Sequence, residues 1–392
     1  MKVENHAVLH GRTVEFFSHG VEKEWGYKAP QTDSFAVIRP KDEKEGVIYP
    51  LWVVFHSAGH DLYSALRCME TPGDHDIYHS PDDSFCLVLD CRENFGDWWW
   101  GGMSPAGTDA GIPTAENRGV EPRPVEKRCI ATVLWTIENY AVDAERVYAV
   151  GNSMGGSGCL GIAGPRGDIF AAIKVNVPAG VLHIDERCLL NGDRPEGFRI
   201  PDPPVTIDYS SQSDEWSGQH ELLYGGMKKR KYPLMGFFGT YGHQNNDAEL
   251  EKVNDLIHSF DILSVRLHDP YPVFWDASTD DPIPWPDDLG SDISGQVNAF
   301  FRWRNIEDTA GTFEIELRLL SPEEWKSRVT FPESSVADVS VRRRQAFFLE
   351  PGEKFTWEFG GISGEGVADA EGVPTVPRLE VTREPKILKL KK

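Results

Sequence analysis

Asp143-Ala-Glu-Arg-Val-Tyr-Ala-Val-Gly-Asn-Ser153-Met-Gly-Gly156 is the stretch that decides how this chain is to be read. Residues 146–150 form a short apolar run with β-branched and aromatic side chains, which predicts a buried strand, and the small residues 156–163 that follow can form a helix. A serine between the two sits on a sharp turn, and so tight a turn needs neighbours without a Cβ, which Gly151 and Gly155 supply. With 37 glycines in the chain, Gly-x-Ser-x-Gly is a weak signal alone. The strand before it and the helix after it make Ser153 the candidate nucleophile.

Outward from this turn, short apolar runs recur at 51–55, 85–89, 171–175 and 205–207, separated by helical stretches. The clearest helix spans 126–140, where Ile130, Val133, Leu134 and Ile137 fall on one face. Strands alternating with helices up to about residue 265 predict an α/β unit with a mainly parallel sheet flanked by helices. The Pro- and Asp-rich residues 269–290 break both periodicities and read as a structured linker. Beyond it the period becomes two: Phe313, Ile315, Leu317 and Leu319 alternate with polar residues, as do Phe355, Trp357 and Phe359. The expected organisation is therefore a catalytic unit at 1–268, a linker at 269–290 and a smaller antiparallel β-sandwich at 291–392.

A serine hydroxyl is a poor nucleophile unless a base with a pKa near neutrality lies within hydrogen-bond reach. Of 12 histidines, His243 stands in a short turn after the late strand 234–240 and ahead of a helix expected near Asp247, with His258 and His268 as competitors. An orienting acid belongs between nucleophile and base in the chain, after the next-to-last strand. Asp214 fits, with its neighbour Glu215 as fallback, whereas Asp208 still lies within the strand. Met154 N–H and an N–H of the loop His56-Ser-Ala-Gly59, from Ala58 or Ser57, would stabilise an oxyanion.

The formal net charge of −22 argues against a nucleic-acid partner, and the basic run 228–231 lies in a helical stretch, as on a solvated helix face. Residues 1–12 lack the apolar core of a signal peptide, and no run approaches a membrane span. A soluble chain is expected, cytoplasmic as it stands and secreted if a leader has been trimmed. The six cysteines show no Cys-x-x-Cys pair and read as buried thiols. His56, His60, Asp61, Asp74, His75, Asp76 and His79 are dense, but His56 and His60 have ligand-like spacing only on a helix, so no metal is expected.

The segment 143–156, the His56-Ser57 pair after a strand, Phe170-Ala-Ala-Ile173 and Gly242-His243 together resemble the α/β-hydrolase superfamily esterases, in particular the feruloyl-esterase, acetylxylan-esterase and esterase-D branch, over roughly 51–246. The resemblance implies acyl transfer through a serine ester, with water as acceptor and no cofactor. Ser57 departs from the pattern, which usually has glycine there. Trp98, Trp99 and Trp100, with Trp216, suggest an aromatic wall for a sugar ring or aryl acyl group, so the expected partner is a small-molecule or oligosaccharide ester. A serine peptidase of the prolyl-oligopeptidase kind, without its usual propeller, and an inactive hydrolase-fold binding protein are the alternatives.

Overall fold

The computed structural model describes residues 2–27, 32–91, 98–100, 119–216, 218–244, 253–285 and 293–392. The strands in chain order are β1 (Lys2–Leu9), β2 (Arg12–Gly20), β3 (Thr32–Ile38), β4 (Tyr49–Phe55), β5 (Phe85–Leu89), β6 (Val142–Asn152), β7 (Ala172–Asn176), β8 (Val205–Ser211), β9 (Leu234–Gly239), β10 (Tyr271–Trp275), β11 (Gly295–Val297), β12 (Phe301–Asp308), β13 (Thr312–Leu319), β14 (Ser334–Arg342), β15 (Lys354–Phe359), β16 (Ile362–Val367), β17 (Thr375–Thr382) and β18 (Lys386–Lys391). The helices that matter below are α1 (Leu62–Glu70), α2 (Pro124–Asn139), α3 (Met154–Gly158), α4 (Leu182–Cys188) and α5 (His220–Arg230).

Every residue of β4 and β5 is buried, as continuous apolar runs require when helices cover both faces of a sheet. These strands stand in a large sheet of order β1-β2-β3-β5-β4-β6-β7-β8-β9-β11. From β5 to β9 the pairing is parallel, while β1 to β3 and the last strand, β11, are antiparallel to their neighbours. The chain places β5 on one side of β4 and then β6 on the other, so the order reverses there and a crevice opens at the carboxyl ends of the strands. This is the sheet of an α/β-hydrolase fold. Pro124 opens α2 within its first turn, and the helix covers the sheet with Val125, Cys129 and Val133. All six cysteines are buried. Among the described residues no helix is long and apolar enough to cross a membrane.

The carboxy-terminal strands form two antiparallel sheets, β10-β14-β17 and β12-β13-β18-β15-β16, with β13 packed against β17. Alternation in β13 buries Phe313, Ile315, Leu317 and Leu319. In β15 Phe355 and Phe359 are buried and Trp357 only half so.

The stretch expected to be a structured linker, 269–290, contributes a strand to the fold. Within it β10 is the edge strand of the smaller sheet, paired with β14, while β11 beyond it pairs with β9 and extends the large sheet. Pro272 hid the first, because proline is tolerated on an edge strand yet reads as a breaker, and three residues are too few to show a period in the second. Two consecutive arginines bind the sheets together. Arg342 donates to Asp202 at 2.6 Å and to the carbonyls of Arg230 and Lys231, lying over the Tyr232 ring. Arg343 donates to the carbonyls of Ala171 and Pro203, just ahead of β7 and β8, at 3.2 Å each. Both contacts lie at the amino ends of the parallel strands. The basic run that ends α5 serves the same seam, with Lys228 on Asp276 and Lys231 on Asp369 at 2.7 Å.

Candidate active site

β6 ends between β4 and β7, with Gly151 opposite Phe55 and Val175, and Ser153 alone separates its last residue, Asn152, from α3. A Cβ on Gly151 would run into the Gly155 carbonyl, and one on Gly155 into the Phe55 backbone, so the close approach of turn, strand and helix explains both glycines. Ser153 sits between them at φ 57° and ψ −122°, a conformation that a residue with a side chain adopts only when its surroundings impose it. Its N–H donates to the Asn176 carbonyl at 2.9 Å, and its own carbonyl accepts from Ser157 and Ala179.

Ser153 Oγ lies 2.6 Å from His243 Nε2, and His243 Nδ1 lies 2.7 Å from Asp214 Oδ2. The acid is fully buried along its side chain, the histidine 27% exposed and the serine 7%. A buried carboxylate on Nδ1 holds that proton in place and leaves Nε2 as the acceptor that faces the hydroxyl. The other carboxylate oxygen, Oδ1, accepts the Trp216 N–H at 2.9 Å. Glu215 is exposed. Asp208 points elsewhere, to Ser210 and Tyr224, and burial pushes its carboxyl up to about 7. His268 pairs at the surface with Glu145, and His258 is exposed. The helix expected near Asp247 lies outside the described residues.

Hydroxyls and amides that spacing did not single out hold these loops. Ser211 Oγ accepts the N–H groups of Tyr241 and Gly242, and Ser213 Oγ accepts Gly242 again, tying the histidine turn to the acid loop. Asn176 Nδ2 donates to Asn152 Oδ1 and to the Gln244 carbonyl, joining the ends of β6 and β7 to the residue after the histidine. Asn152 Nδ2 in turn donates to Ser57 Oγ at 3.0 Å, and Ser57 Oγ donates to the Asn152 carbonyl at 3.0 Å. The only signal for this network was a polar residue at each strand end.

Ser57 N–H donates to Tyr78 Oη at 2.7 Å, which removes it from the oxyanion donors named above and explains a serine at this place as part of the bracing. Ala58 is exposed on the loop, and Met154, as the first residue of α3, has no helical carbonyl behind it to bond. The tryptophan wall also needs correction. Trp99 is 0% and Trp100 2% exposed: Trp99 donates to the His56 carbonyl at 3.0 Å and packs edge-on against Phe55 and over Gly158, so these rings are core. An aromatic run in a loop does not reveal which way each ring turns. Trp98 is half-buried, and Trp216, 54% exposed, stands beside the acid. The residues on either side, 92–97 and 101–118, lie outside those described.

No protein-family model matches the chain, and no curated protein matches it in sequence. Solved structures to which the chain is similar include an S-formylglutathione hydrolase from Agrobacterium tumefaciens, at 15% identity and a TM-score of 0.43, covering 62% of this chain and 93% of that one. A thermostable esterase is similar at 19% identity and a TM-score of 0.41, covering 58% and 54%. A ferulic acid esterase from the anaerobic fungus Anaeromyces mucronatus is similar at 16% identity and a TM-score of 0.40, covering 63% and 94%.

Proposed function

We propose that the chain is a serine carboxylic ester hydrolase that works through an acyl-enzyme, with a carbohydrate-linked or aromatic ester of the feruloyl or acetyl type as substrate. The observation that carries this reading is the relay from Ser153 through His243 to Asp214, with contacts of 2.6 and 2.7 Å. Ser153 Oγ attacks the acyl carbon while His243 Nε2 takes the hydroxyl proton, and Asp214 stabilises the imidazolium that results. The N–H groups of Met154 and Ala58 receive the charge that develops on the carbonyl oxygen. His243 then gives its proton to the departing alcohol. Water enters, loses a proton to the same nitrogen and releases the acid, restoring the serine. Trp216 offers an exposed aromatic surface next to the acid loop, which suits a sugar or aryl group.

The test is incubation with a fluorophosphonate probe, peptide mapping, and turnover of short aryl esters, feruloylated and acetylated oligosaccharides and aminoacyl amides. Label on Ser153, ester turnover and loss of both in a folded Ser153→Ala variant are expected. An unlabelled serine in the native protein would make the chain a binding protein, and preference for amides would make it a peptidase.

A further inference from the structure

His60, Cys68 and His75 are far from adjacent in sequence, and only the turns before and after α1 bring them together. His60 lies ahead of the Asp61 cap of α1, Cys68 in its last turn, and His75 in the left-handed residue, φ 47°, that opens the short helix Asp76–Tyr78. One ligand atom from each lies within 4.8 Å of the other two. The His60 and His75 ring centroids are 4.7 Å apart, and Tyr78 stacks on His75. His60 Nδ1 is buried and has no hydrogen-bond partner among the described residues, an arrangement that is unfavourable if nothing binds it. Asp74 holds His75 Nδ1 at 2.7 Å, which turns Nε2 into a fixed lone pair, as outer carboxylates do for metal-bound histidines.

We infer that His60, Cys68 and His75 bind one divalent transition ion of zinc-like character. Two imidazoles and a thiolate suit such an ion, and three protein ligands leave a fourth position open. Bonds of about 2.0 Å to nitrogen and 2.3 Å to sulfur at tetrahedral angles set ligand atoms about 3.3–3.5 Å apart, so the site closes by about 1.5 Å at most on binding. The thiol binds such an ion as the thiolate, so binding releases its proton to solvent.

The full chain, freed of metal by a chelator, is titrated with cobalt and zinc. One ion per chain, a thiolate-to-cobalt charge-transfer band and about one proton released per ion are expected. Cys68→Ala removes the band, and both it and His60→Gln weaken zinc binding about a hundredfold or more, while Ser153→Ala binds as the native chain does. No band, or Cys68→Ala binding within about threefold of native, overturns the site.

Discussion

Replacing Asp214 by Asn changes one atom and reverses the logic of the relay. The carboxylate accepts twice, from His243 Nδ1 at 2.7 Å and from the Trp216 N–H at 2.9 Å. An asparagine must keep its carbonyl oxygen on the Trp216 N–H, since turning its NH₂ there would set donor against donor. The amide therefore presents N–H to His243 Nδ1, the imidazole shifts its proton to Nε2, and the nitrogen facing Ser153 can no longer accept. In triads of this design that tautomer lowers kcat by about 10⁴, or about 5 kcal/mol in the barrier. The acid is buried and the replacement has the same shape, so the fold should persist. Hydrolysis of a p-nitrophenyl ester, with circular dichroism as the control for folding, reads the effect. Turnover within tenfold of native, or a larger loss in Asp208→Asn, would refute the reasoning.

Gly155→Ala drives a methyl group into the Phe55 and His56 carbonyls at the end of a central strand, where no side chain can move aside; a loss of about 3 kcal/mol or more by urea denaturation is expected, and native stability would show that the turn has room. Asp208 carries a different expectation. Its folded pKa, near 7, exceeds the ordinary value of 3.8, so the native state keeps a proton that the unfolded chain releases, and stability is lost as pH rises from about 4 to 7. Asp208→Asn escapes that loss, and its stability relative to native should climb through this window by a few kcal/mol and then level off; a difference that stays flat across the window would refute burial as the cause.

The fold was legible wherever burial left a pattern. The apolar runs at 51–55 and 85–89 became β4 and β5, and the alternation at 313–319 became β13, because a buried strand admits few polar side chains. Ser153 was legible because its turn forbids a Cβ on either side. Contacts that depend on side-chain direction were not. Trp99 and Trp100 carried no mark of turning inward, and the hydroxyls of Ser211 and Ser213 resembled those of any loop. The grouping of His60 with Cys68 and His75, in place of His56, needed the path of the chain around α1. His56 itself turns inward, where its Nδ1 meets the Ser57 carbonyl and its Nε2 the Cys91 N–H.

The exchange of edge strands has a thermodynamic consequence. Because β10 leaves the first part of the chain for the small sheet and β11 returns from beyond it to the large one, neither layer can melt without unpairing the other. Severing the chain near residue 269 would also strip Arg343 from the carbonyls of Ala171 and Pro203, exposing buried acceptors under the sheet that carries Ser153. Calorimetry should accordingly show a single heat-absorption peak, and the amino-terminal portion expressed by itself should fail to reach its native packing.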